Sequence, residues 1–212
     1  MLLEQNKSDY LLDLEYKYPI VEMFHSIQGE GFWSGENAFF IRLAGCDVFC
    51  PWCDQKETWT MKKYPLLTLA NIKNNLINID TKHIIITGGE PLLHDLFPLT
   101  KMLKNLGYKT HIETSGSHPF SGEFDWVTFS PKPYKLPKEN IYNYVSELKV
   151  VINDEKDFIF AESEAEKLSH NIPKYLQPQW ENSASQQLIF NYILHHPQWR
   201  LSLQTHKFIQ VR

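Results

Sequence analysis

Cysteine is scarce in this chain of 212 residues: there are 3, all lying between Gly45 and Trp59. With none elsewhere no disulfide framework is expected, and a reducing, cytoplasmic compartment fits. Long apolar runs are missing too. None approaches the ~20 residues of a membrane span, so no membrane partner is expected. The first residues, "MLLEQNKSDYLLDLEYKYP", carry several acids and no signal-peptide core, which points away from secretion. Neither charge sign dominates: 21 Lys and Arg stand against 25 Asp and Glu, a formal net charge of -4, and no nucleic-acid partner is expected. Internal repeats, low-complexity tracts and linkers are absent. The expectation is one domain over 1–212, with residues 1–17 a loosely attached N-terminal extension.

What the chain does have is an alternation of strand-like and helix-like segments. "PIVEMFHS", "AFFIRLAG", "HIIIT", "YKTHIET", "DWVTFS", "SELKVVI", "KYLQP" and "WRLSLQT" read as strands. "TLANIKNNLINI" reads as a helix capped by Thr68, with Leu69, Ile72, Leu76 and Ile79 on one face. Further helices are expected from Asp95 to Leu106, closed by Gly107, from Glu155 to Leu168, and over "ASQQLIFNYILHH". Such alternation predicts an α/β fold with a mostly parallel sheet and helices outside. Steps such as "YKTHIET" to "DWVTFS" are too short for a crossover helix, and a full eight-fold barrel takes ~250 residues. An incomplete, TIM-like barrel is therefore expected, with its site beyond the carboxyl ends of the strands.

In "GCDVFCPWCDQKETW", Cys46, Cys50 and Cys53 supply three thiols, and no histidine lies in the loop. Structural zinc wants four closed ligands, so His25 or His83 would have to fold back. Three unliganded core cysteines fit poorly with the Gly and Pro of a tight loop. A four-iron cluster normally takes four thiolates, and three leave one iron open to a ligand that is not protein.

This C-x-x-x-C-x-x-C loop, placed after an early barrel strand, resembles that of the radical S-adenosylmethionine enzymes. The resemblance implies a 4Fe-4S cluster on Cys46, Cys50 and Cys53, with S-adenosylmethionine chelating the open iron and cleaved to a 5′-deoxyadenosyl radical. Trp52 then lines the adenine side, or equally caps the cluster as a plain apolar wall. "GGEP" after "HIIIT" has Gly88 and Gly89 for close backbone approach and Glu90 as acceptor for an ammonium. "ETSG" and "SPK" end two further strands. Singly each motif reads as a turn or polar cap; together they point to one shared pocket.

"FHSIQGEGFWSG", "CPWCDQKETW", "ITGGEPLLHDLFPLT", "IETSG", "SPK" and "SLQTHKFIQVR" resemble the 7-carboxy-7-deazaguanine synthase family in order and spacing, from Tyr18 to Arg212. The resemblance implies radical ring contraction of 6-carboxy-5,6,7,8-tetrahydropterin with loss of ammonia, on the route to queuosine. It also implies a homodimer and an electron donor such as a flavodoxin. Ile27, Gln28, Gly29, Glu30, Arg42, Thr114, His206 and Arg212 are carried over as substrate contacts, with the terminal carboxylate folding over the substrate. Cys53, Asp54, Gly116, Ser130, Pro131, Lys132 and Gln177 are carried over towards S-adenosylmethionine. Strand alternation puts Arg42 with Ala38 and Phe40, opposite Phe39, Ile41 and Leu43. An inward arginine needs a partner, either the substrate carboxylate or a residue such as Glu22 or Glu113. The chain departs from the family at Gln55, where relatives place a threonine that ligates magnesium; a Mg2+ site there is doubtful, and weaker magnesium dependence is expected. The alternatives are an activase of glycyl-radical enzymes, or a noncatalytic iron–sulfur or zinc-binding domain.

Overall fold

Alternating side chains on successive strands give this sheet two unlike faces, and the fold follows from that difference. The structure, a computed structural model, describes residues 16–212. The extension expected at 1–17 lies outside the described residues, apart from its last two positions. Nine strands form one sheet: β1 (Lys17–Ile27), β2 (Asn37–Leu43), β3 (Leu66–Thr68), β4 (His83–Gly88), β5 (Lys109–Thr114), β6 (Trp126–Phe129), β7 (Glu147–Ile152), β8 (Lys174–Pro178) and β9 (Trp199–Leu201). Their order is β3-β1-β2-β4-β5-β6-β7-β8-β9. From β2 through β9 every neighbour is parallel, while β1 pairs antiparallel with both β2 and β3. This is the expected incomplete barrel, open between its two edges.

One face of the sheet is apolar. Phe39, Ile41 and Leu43 of β2, Ile84 and Ile86 of β4, Val127 and Phe129 of β6, and Leu148, Val150 and Ile152 of β7 join a single core with the helices. The helices are α1 (Leu69–Asn74), α2 (Phe97–Asn105), α3 (Lys156–Ala165), α4 (Ser183–His195) and a short α5 (Thr205–Phe208). Their buried faces remove apolar area from water, the main favourable term in folding. The opposite, inward face carries Arg42, His111, Glu113, Thr128, Glu147, Lys149 and Gln177 in alternate positions. A small apolar patch of Ala38, Phe40 and Ile85, joined by Phe24, interrupts that polar lining.

Two elements differ from expectation. α1 stops at Asn74, short of Ile79, and the chain continues through a turn in which Asn78 adopts φ +67. Its cap and face are as read: Thr68 and Asn71 form a capping box, and Leu69, Ile72 and Leu76 are buried. The last strand ends at Leu201, after which the chain turns into α5. No described helix is long and apolar enough to cross a membrane.

Candidate functional site

The carboxyl ends of the strands open into one cavity of about 670 Å³, a size suited to a small-molecule site. Cys46 follows β2, Gly88–Glu90 end β4, Thr114 and Ser115 end β5, Ser130 and Lys132 follow β6, and Gln177 closes β8. Gln28, Gly29 and Glu30 enter from the turn after β1, and Gln204, His206 and Lys207 from α5. Of the positions singled out in the sequence, Gly116 and Pro131 are the two that do not reach the wall. Gly116 instead turns the loop after β5 at φ +69, against Phe129 and Ile141, and Pro131 is buried behind the wall.

The glycines of "GGEP" line the cavity and also serve a purpose within the chain itself. A Cβ on Gly88 would lie 2.0 Å from the Leu43 carbonyl oxygen, and one on Gly89 2.2 Å from that of Gly45. They let the end of β4 press against the chain entering the cysteine loop, where the Gly89 and Glu90 amides donate to Leu43 and Gly45 at 2.9 and 2.8 Å. Glu90 is buried and already well supplied with donors. It accepts from the Thr114 hydroxyl, the Leu92 amide, and both the amide and hydroxyl of Ser115. It thus ties the β4 and β5 ends together, and an incoming ammonium shares it with these donors.

In the cysteine loop, main-chain amides point at sulfur. Gln55 donates to Cys53 Sγ at 3.3 Å, and the Val48 and Phe49 amides lie against the Cys46 sulfur. Burial pushes the Cys46 and Cys50 thiols up from their ordinary range, a cost that a metal claiming the thiolates offsets. Zinc does not fit. Tetrahedral Zn–S bonds of ~2.3 Å bring sulfurs to about 3.8 Å; among the described residues no set of three ligand atoms that includes these thiols closes within 4.8 Å. Nor does either histidine fold back: His25 bonds Asn37, and His83 starts β4 at the far end, packed on Trp33. Three thiols on one loop, opening on a cavity with no fourth protein ligand among the described residues, fit a larger cluster with one corner left for a ligand. The loop is pinned from outside by Asp47, which accepts from His118 at 2.9 Å and Lys135 at 2.5 Å.

Arg42 takes the internal partner. Its Nε donates to Glu22 at 2.9 Å, and Arg212 holds the other oxygen of Glu22 at 2.6 Å. The main-chain oxygen of Arg212 accepts from the Ser26 hydroxyl. Lys132 bonds Ser130 and lies 5.9 Å from the Trp52 ring centroid. Gln177 accepts from Ser202 at 2.9 Å.

Sequence reasoning passed over the deepest polar cluster. Strand register lines up Glu113, Thr128 and Glu147 across β5, β6 and β7, and Lys149, two residues further on, is buried at its centre. Lys149 donates to Glu30 at 2.5 Å and Glu113 at 2.8 Å. Glu147 accepts from the Phe32 amide at 2.8 Å and from Thr128 at 2.6 Å. Because Thr128 spends its proton there, His111 Nε2, 2.7 Å away, is the donor to the Thr128 oxygen. Burial keeps His111 neutral, pushing its pKa down to about 3. The ligand-like trio His111, Glu113 and Glu147 therefore already has its cation, the Lys149 ammonium. The contacts that fasten the strap after β9 were also not foreseen: Gln204 donates to Glu30 at 2.8 Å, the Thr205 amide to Gly29 at 2.9 Å, and Lys207 to Asp54 at 2.5 Å.

Comparison with known proteins gives a consistent set of relatives. A family profile described as "Radical SAM superfamily" matches residues 40–127. A "7-carboxy-7-deazaguanine synthase" of Synechocystis sp. is 57% identical over 199 residues, covering 94% of this chain and 96% of that protein. A protein of the same name from Flavobacterium psychrophilum is 44% identical over 194 residues, covering 91% and 92%. The solved "Crystal structure of QueE from Escherichia coli" aligns with a TM-score of 0.81 at 30% identity, covering 93% of this chain and 98% of that one.

Proposed function

Because the chain belongs to the 7-carboxy-7-deazaguanine synthase family of radical S-adenosylmethionine enzymes, we propose that its cavity takes 6-carboxy-5,6,7,8-tetrahydropterin and contracts the ring to 7-carboxy-7-deazaguanine, releasing ammonia. The observation that carries this reading is the meeting of the three-thiol loop with the ends of β4, β5, β6 and β8 and the "QGEG" turn on one small-molecule cavity. The family implies a 4Fe-4S cluster and S-adenosylmethionine, which when bound supply one electron, a broken carbon–sulfur bond and a carbon-centred radical.

The chain's own residues do the rest. Cys46, Cys50 and Cys53 hold the cluster. Trp52, Gly88, Gly89, Glu90, Ser130, Lys132 and Gln177 form the S-adenosylmethionine side, with Lys132 available to a carboxylate or ribose oxygen. On the substrate side, Gln28 and the main chain of Ile27 and Gly29 read the amide-like edge of a pterin. Among the described residues only Nε of Arg42 has a hydrogen-bond partner, which leaves its terminal nitrogens to grip the substrate carboxylate. Glu30, held anionic by Lys149, accepts from ring N–H groups; its pKa falls to about 2. Thr114 and His206 complete the wall, and the strap from Ser202 to Arg212 excludes water. A Mg2+ ion, if used, would meet the Gln55 side chain. A flavodoxin-like donor and a second copy of the chain are the proposed partners; exposed Phe49 and Met61 beside the cysteine loop suit the first, and exposed Ile159, Phe190 and Leu194 on α3 and α4 the second.

The test is anaerobic reconstitution with iron and sulfide, then incubation with carboxytetrahydropterin, S-adenosylmethionine and a reductant. A product with a deazapurine spectrum and one ammonia per turnover is expected. Cleavage of S-adenosylmethionine with the pterin recovered intact would refute the assignment.

A further inference from the structure

Ammonia release sets a proton problem that the radical chemistry does not solve. A carbon–nitrogen bond breaks with its electron pair leaving on nitrogen. The neighbouring carbon loses a proton, its former C–H pair becoming the ring double bond, and the nitrogen needs one proton to leave as ammonia. A single protonated group that gives its proton to nitrogen and regains one from carbon balances the step without an oxidant or a net proton.

The charge arrangement beneath the cavity singles out one such group. Three carboxylates, Glu30, Glu113 and Glu147, surround one ammonium, Lys149. His111 is neutral and donates to Thr128. Glu30 takes Lys149 and the Gln204 amide, and Glu147 takes a main-chain amide and the Thr128 hydroxyl, so each has two donors, at least one of them beyond the shared ammonium. Among the described residues Glu113 has no main-chain donor: it shares Lys149 and receives the neutral Gln28 amide, at 2.9 Å, while its carboxyl forms part of the cavity wall. A buried cluster with one cation stabilises one anion fully and a second with help from neutral donors, so a third carboxyl is where a proton resides.

Resting on the pterin reading above, we propose that Glu113 is the proton-transfer residue of this site, giving its proton to the departing nitrogen and regaining one from carbon, with Lys149 its positioning residue. The charged and titratable groups facing it are Glu30 from the turn after β1, His111 on its own strand, Lys132 after β6, and Glu147 and Lys149 on β7. Consistent with this, burial and the two neighbouring carboxylates outweigh Lys149 and raise its pKa to about 7, suited to exchange near neutral pH.

The experiment uses the reconstituted full chain with C6-deuterated carboxytetrahydropterin, comparing wild type, Glu113→Gln and Glu113→Asp. Two signals are read: deuterium passing into S-adenosylmethionine, which the family's abstraction of the C6 hydrogen and regeneration of that cofactor imply ahead of nitrogen loss, and ammonia released. For Glu113→Gln, ammonia falls by about 100-fold or more while deuterium transfer stays within about threefold. Glu113→Asp recovers part of the ammonia rate, and the apparent pKa near 7 in the wild-type ammonia profile disappears with glutamine. Ammonia release by Glu113→Gln within threefold of wild type overturns the proposal. So does an equal fall in both signals, which marks a residue needed only for binding or folding. If wild type itself transfers no deuterium and releases no ammonia, the pterin reading falls and this proposal with it.

Discussion

Lys149 is the residue on which the inner face of the barrel depends. It is 3% exposed, and removing one partner of a buried ion cluster costs about 3–5 kcal/mol. The pH dependence has a definite sign. Glu113, raised from 4.5 to about 7, contributes stability that is full below pH 4.5 and is lost as pH climbs through 7. Glu30, lowered to about 2, contributes stability that is present above 4.5 and is lost as pH falls towards 2. Without the ammonium the carboxyls need protons to stay buried, so the deficit of Lys149→Met should be larger at pH 8 than at pH 5. Urea midpoints of variant and wild type at the two values check this; a deficit larger at pH 5 contradicts it. Gln55 gives a second residue-scale expectation. Its amide oxygen is a longer-armed and more weakly held ligand than a threonine hydroxyl, so turnover should change little when a chelator strips magnesium. Activity that vanishes and returns on adding the ion would oppose this.

At the scale of elements, α5 and the turn around it act as a latch across the cavity. Lys207 joins Asp54, the residue after the last cysteine, and sits 5.0 Å from the Trp180 ring. The pair is partly exposed, so its loss should cost the fold only about 0.2–1 kcal/mol. Its effect on the cavity should be larger: Lys207→Ala is expected to raise the KM for substrate several-fold with little change in the unfolding midpoint. An unchanged KM would show that the strap closes without the latch. The resemblance of "SLQTHKFIQVR" placed His206 and Arg212 at the cavity, but the latch itself was not legible there: the strand-like alternation runs past Leu201, and only the cavity beneath gives the chain reason to turn into α5. The longer strands and helices were legible because their apolar period is strong. The polar cluster was legible in principle: in "SELKVVI", Leu148, Val150 and Ile152 claim one face, so Glu147 and Lys149 had to share the other. What alternation did not reveal is which neighbouring strands bring Glu113 and Thr128 beside them; that is a matter of register.

For the whole molecule, the sheet gives its apolar side to the helices and turns a charged side inward, and the site grows from the second. The motifs at strand ends were readable because a parallel sheet gathers those ends. The contact between Gly88–Gly89 and the cysteine loop was not, since a glycine pair reads the same whether a ligand or the chain's own backbone approaches it. For Arg42, alternation put it inside and Glu22 was among the partners expected; antiparallel pairing of β1 and β2 is what selects Glu22 over Glu113. What the assembled molecule offers is three thiols and an open cavity where a fourth ligand belongs. The direct test is the electron paramagnetic resonance spectrum of the anaerobically reconstituted, reduced chain, recorded with and without S-adenosylmethionine. A four-iron signal whose g-values shift when the cofactor binds is the predicted result. A zinc-only preparation, or a cluster signal indifferent to S-adenosylmethionine, would contradict the account.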